Sequence, residues 1–86
     1  MTITPRDAEL ILALADNGLV MYKVAKKTYR HPNTVRYHVE NIREKTGLDP
    51  RDFWDMQKLV PMAQRTLTFK TVKENMEKVI ATAKER

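Results

Sequence analysis

MYKVAKKTYRHPNTVRYHVENIREKTG, residues 21–47, decides the fold of this chain. It holds two short helical patterns separated by a tight polar turn. In the first, Val24 is followed by Ala25, a small residue of the kind that lets a second helix cross closely. In the second, Val35 supplies the apolar contact that seats one helix on the other, and Val39 and Ile42 continue that face. The second helix starts at His31-Pro32, with proline at the first helical position, and Gly47 ends it, leaving Leu48 to fold back on the last turn. Its exposed face carries Asn33, Arg36, Tyr37 and Glu40, with Arg30 and His31 just before. Bidentate hydrogen-bonding groups near the start of a helix are what a major-groove reader presents to base edges. The stretch reads as a helix-turn-helix over residues 21–46, with 31–46 as the recognition helix.

Working outward, Thr4 caps a first helix, Pro5 opens it, and Asp7 places negative charge in its first turn. Its apolar positions are Ala8, Ile11, Leu12, Leu14 and Ala15, and Asn17-Gly18 stops it, with glycine taking the left-handed conformation. The next helix runs from Leu19 or Val20 to Thr28, with Val20, Val24 and Ala25 as its apolar face. Beyond Gly47, Asp49-Pro50-Arg51-Asp52 repeats the cap-plus-proline signal for a fourth helix. Phe53, Trp54, Met56, Leu59 and Val60 are its apolar residues and are expected to close the core. Pro61 lacks an amide donor and is expected to kink or end it. A fifth helical pattern follows, with Phe69, Val72, Met76, Val79 and Ala83 spaced by three and four and extended by Ile80. No stretch reads as an alternating strand. The expectation is an all-α bundle of about five helices, with residues 1–65 as the helix-turn-helix domain and 66–86 as a C-terminal helix.

With 86 residues the chain fits one domain with a thin core, which makes a partner chain a natural source of extra stability. It contains no cysteine, which excludes disulfides and thiolate metal sites. No apolar run approaches the ~20 residues that span a bilayer, and Met1–Ala15 lacks the pattern of a signal peptide. The expected location is cytoplasmic, with no membrane association.

The net charge of +5 is unevenly placed. Residues 21–45 hold Lys23, Lys26, Lys27, Arg30, Arg36, Arg43 and Lys45 against Glu40 and Glu44, so this segment alone matches the excess of the whole chain, +5. Such a concentration suits a polyanion-facing surface; the competing explanation is a solvated, lysine-rich face.

The segment His31–Asp52 resembles the C-terminal helix-turn-helix of PucR- and CdaR-type bacterial transcription regulators. The matching residues are His31, Asn33, Thr34, Val35, Arg36, Tyr37, Ile42, Thr46, Gly47, Leu48 and Asp49, with Ala25 as the small residue of the preceding helix. The resemblance covers roughly residues 10–65 and departs from the family at Arg30, commonly apolar there, and at His38, commonly basic. It implies sequence-specific binding of double-stranded DNA in transcriptional control, in a domain usually fused to a larger sensory region.

The residues themselves divide into readers and anchors. Arg36 can fork to guanine, Asn33 can pair with adenine, and Tyr37 can reach a base edge, sugar or phosphate. Against this, Arg36 can pair with Glu40 four residues on, Asn33 can act as a local cap, and Tyr37 can be partly core. Lys26, Lys27, Arg30, His31, Thr34 and Arg43 are the phosphate candidates; free backbone amides at the helix start are expected to help Thr34. His31 and His38 make a poor zinc site without further ligands, so no metal or cofactor is expected. The chain contains neither serine nor cysteine and no glycine-rich loop, which argues against an enzyme. The stripe Phe69, Val72, Met76, Val79, Ile80 and Ala83 is a candidate homodimer contact; alternatively it folds back over a core left open by Leu12, Val39 and Leu59. The main rival to DNA binding is a protein–protein module, an anti-repressor or assembly domain on the same fold. RNA is a third possibility, without the usual stacking platforms.

Overall fold

The computed structural model describes residues 3–84, with side chains described over 3–78. Four helices make up the described residues: α1 (Pro5–Asp16), α2 (Met21–Lys27), α3 (Pro32–Thr46) and α4 (Phe53–Lys84). The all-α expectation holds, with four helices where five are expected.

α1 is the hub, touching each of the other helices and packing chiefly against α4, while α2 packs on α3. Ile11 and Leu14 of α1, Val24 of α2, Val35, Val39 and Ile42 of α3 and Leu59 of α4 are fully buried together. The start of α1 is closed reciprocally. The Asp7 amide donates to Thr4 Oγ1 at 3.1 Å and the Thr4 amide donates to Asp7 Oδ2 at 3.0 Å, a capping box. Asp7 is nevertheless buried, because its carboxylate also accepts from Lys45 Nζ at the end of α3. Burial pushes the Asp7 carboxyl up, but the hydrogen bonds from Lys45 and Thr4 and the Lys45 charge outweigh it and hold the group below its usual range.

The expected stop at Gly18 is present, with a positive φ of 65°, and the left-handed conformation continues into Leu19 at φ 66°. The Leu19 amide reaches back to the Leu14 carbonyl at 2.8 Å. A non-glycine residue there costs of order 1 kcal/mol. Leu19 is packed against the core, which offsets that cost. Val20, expected on the apolar face of α2, is 40% exposed because it lies ahead of the first turn, where it caps with backbone alone.

At the end of α3, Gly47 takes φ 72° and its amide donates to the Arg43 carbonyl at 2.9 Å. Thr46 is buried there. Its hydroxyl donates to the Ile42 carbonyl at 2.6 Å and accepts from the Leu48 amide at 3.1 Å, so Leu48 does fold back on the core. The cap-plus-proline signal lies slightly ahead of α4: Pro50 is buried in the turn, and Asp52 is the residue whose side chain accepts from the Asp55 amide at 3.2 Å.

Two expectations about α4 are corrected. Pro61 does not end the helix, which runs unbroken through it. An interior proline costs ~3 kcal/mol, but Met56 and Leu59 before it and Ala63 after it are all buried. Side chains of the Met and Leu class each gain roughly 1.5–3 kcal/mol on burial, so helix continuation wins. Pro61 itself is exposed, where water can meet the carbonyl it leaves without a donor. Phe53 and Trp54 are not core: they are 58% and 74% exposed and meet edge to face at 5.3 Å. Trp54 sits roughly 160° around the helix from Met56, away from the buried line.

Past Leu67 the exposed side of α4 shows Phe69, Val72 and Met76. They do not fold back over the core, since Val39 and Leu59 are already fully buried without them. The side chains of Val79, Ile80 and Ala83 lie outside the described residues. No helix among the described residues is long and apolar enough to cross a membrane.

Candidate nucleic-acid interface

The buried line of α3 is Val35, Val39, Ile42 and Thr46. Counting about 100° per residue from it, Asn33, Tyr37 and Glu44 lie on the opposite side, flanked by Arg36 and Arg43 along one edge and Thr34 and Asn41 along the other. All seven are exposed. Tyr37 is 65% exposed and meets His38 edge to face at 5.6 Å, so it is not a core residue. Asn41 was passed over in the sequence, although it stands one turn beyond Tyr37; the helical period alone would have found it.

His31 caps α3, its Nδ1 accepting from the Asn33 amide at 3.0 Å. The amides of Thr34 and Val35 donate to the His31 carbonyl at 2.9 and 3.3 Å. The backbone amides expected to be free at this helix start are therefore occupied, and an anion here would meet side chains. The Thr34 hydroxyl is exposed. Asn33, expected as a possible cap, has its side chain elsewhere: Oδ1 accepts from Arg36 Nη1 at 3.5 Å, a long contact that sets the two side by side.

Glu40 does not pair with Arg36. It takes Arg51 at 2.9 Å and Arg43 at 3.6 Å. Arg51 also forks onto Asp49 at 3.1 Å. Burial pushes the Asp49 carboxyl up, but the hydrogen bonds from Arg51 and the Arg51 and Arg43 charges together outweigh it and hold the group below its usual range, while the Asp49 contact raises the Arg51 guanidinium further. Around α2 and the turn the pattern reverses. Lys23, Lys26, Lys27 and Arg30 are exposed and make no ion pair among the described residues. Lys45, counted in the sequence with the basic surface, is spent on Asp7. Among the described residues no three His, Asp or Glu side chains are grouped to hold a metal ion.

A short polar turn, a basic leading helix and an exposed polar stripe on the second helix thus occur together. The family model of the PucR C-terminal helix-turn-helix domain matches residues 8–60, which take in α1, α2, α3 and the start of α4. The chain belongs to the PucR C-terminal helix-turn-helix family. A relative described as a probable transcriptional regulatory protein SgaR, from Hyphomicrobium methylovorum, is 40% identical over 50 residues. That stretch is 58% of this chain and only 23% of the relative's length. No solved structure matches the chain.

Proposed function

We infer that this PucR-type module binds double-stranded DNA in a sequence-specific manner as part of transcriptional control, with α3 as the recognition helix. The observation that carries the reading is the juxtaposition of the exposed Asn33–Arg36–Tyr37 surface with Lys26, Lys27 and Arg30, cations that make no ion pair among the described residues. Asn33, Arg36 and Tyr37 are assigned to base edges, and Lys26, Lys27, Arg30, His31, Thr34 and Arg43 to phosphates. The SgaR-like relative's description as a transcriptional regulatory protein supports the same role.

One such module covers few base pairs, and specificity is gained by pairing across half-sites. Residues 1–65 are therefore assigned to DNA and 66–86 to a homodimer contact, for which Phe69, Val72 and Met76 supply exposed apolar surface. Light scattering of the intact chain should give a dimer, and of a Val72→Glu/Met76→Glu variant a folded monomer. A monomeric parent at tens of micromolar, or a variant that stays dimeric, removes the pairing assignment.

A protein-binding role draws on Phe53, which with Ala15, Leu19, Met56, Val60 and Pro61 lines an open apolar groove. Mobility shifts with duplex, single strand and RNA separate the readings. Duplex retention that falls log-linearly with salt is the expected result. Duplex affinity that is absent, or flat with salt, overturns the DNA reading.

A further inference from the structure

The turn between α2 and α3 contains a residue that the fold alone disfavours. Tyr29 has φ 56°, the left-handed region. The Arg30 amide bonds to the Ala25 carbonyl at 2.9 Å and the Tyr29 amide to the Lys26 carbonyl at 3.4 Å. This double closure puts its left-handed residue at the position where glycine is the least strained choice. Leu19 adopts the same conformation after α1, but there the side chain packs against the core. Tyr29 has no such compensation: its side chain is 97% exposed and makes no hydrogen bond or ring contact among the described residues. A large, strained side chain that contributes nothing to packing points outward, to something the isolated chain lacks.

Its surroundings name the chemistry. Tyr29 follows Lys26 and Lys27 and precedes Arg30, all exposed and without an ion pair among the described residues. The chain has 3 tyrosines, and all of them, Tyr22, Tyr29 and Tyr37, sit on the helix-turn-helix and are 67%, 97% and 65% exposed. Tyr22 and Lys26 are four residues apart on α2 and so share a face. A phenol hydroxyl is a neutral donor well suited to a phosphate oxygen, and its ring packs on deoxyribose.

We propose that Tyr29 is a DNA-backbone contact, its hydroxyl donating to a phosphate beside those held by Lys26 and Arg30. The proposal rests on the DNA reading above and deepens it. A neutral donor displaces no counterion, so Tyr29 adds affinity without adding to the salt dependence, unlike its lysine neighbours. Being a backbone contact, it acts equally on every sequence.

The test is fluorescence anisotropy of the intact chain on a labelled random-sequence duplex across a salt series, with thermal melts of the same proteins. Tyr29→Phe keeps the ring and the strained backbone. It should weaken binding roughly three- to tenfold with an unchanged salt slope. Tyr29→Gly should weaken binding at least as much while raising Tm by about 4 °C, since the strain is relieved. Lys26→Ala should instead lower the slope by about one. Both tyrosine variants binding within about twofold of a parent that does bind duplex would overturn the Tyr29 assignment and leave the DNA reading standing. A Tm that falls in Tyr29→Gly would also overturn it, by showing that the side chain serves the fold. A parent without duplex affinity removes both.

Discussion

The surroundings of the two ends of α3 hold similar charged residues and use them in opposite ways. At the C-terminal end, Glu40, Arg43, Lys45, Asp49 and Arg51 are all engaged with one another or with Asp7. At the N-terminal end, Lys26, Lys27 and Arg30 have no acidic partner among the described residues, and Arg36 meets only Asn33. The difference teaches that a count of basic residues overstates a polyanion-binding surface. One lysine of the basic segment closes the fold, and one arginine is half-neutralised. What remains open is clustered around α2, the turn and the first turns of α3.

The comparison breaks most visibly at Ile42, the fully buried residue beneath the paired end. Ile42→Ala should cost roughly 2–5 kcal/mol of folding stability, read from the urea midpoint. At the open end, Arg36→Ala and Asn33→Ala should each cost roughly 1–3 kcal/mol in binding to a selected site while leaving the urea midpoint nearly unchanged. Selected-site sequencing that returns the parent motif for both would take them out of the reading role.

A third measurement sharpens the paired end through pH. Because the folded Asp7 carboxyl lies below its ordinary value of 3.8, its contribution is fully present above that pH and is lost as pH falls from there through the lower folded value. Lys45→Met should lower stability by about 1–2 kcal/mol at neutral pH, the pair being partly open to water. It should also flatten the acid limb of the stability profile. An unchanged acid limb would show that Asp7 is not held by Lys45. The smallest effect is expected at Arg43, whose 3.6 Å contact with Glu40 is exposed. Arg43→Ala should change stability by less than about 0.5 kcal/mol and weaken DNA binding less than Arg36→Ala does.

Much of the fold was legible because it is written locally. Thr4, Pro5, His31, Pro32, Gly18 and Gly47 each act within a turn of themselves, and they bound α1 and α3 as expected. What escaped the sequence is nonlocal. Pro61 carries a helix-ending signal, overruled by Met56, Leu59 and Ala63 gripping α1. Asp7 meets Lys45 across 38 positions, which no short window reveals. Phe53 and Trp54 look like core by composition, but the buried line of α4 fixes which side faces inward, and that line is set by the other helices. In the candidate interface, the outward placement of Asn33, Arg36 and Tyr37 follows from the helical period. The strained backbone of Tyr29 does not, since no residue type announces it.

The cap of α3 has a consequence for the ring that makes it. His31 accepts at Nδ1, so that nitrogen holds a lone pair and the single ring proton sits on Nε2. The tautomer is thereby chosen by the helix. The first turn of α3 is thus closed by a ring lone pair, where the start of α1 is closed by the Thr4 hydroxyl and the Asp7 carboxylate.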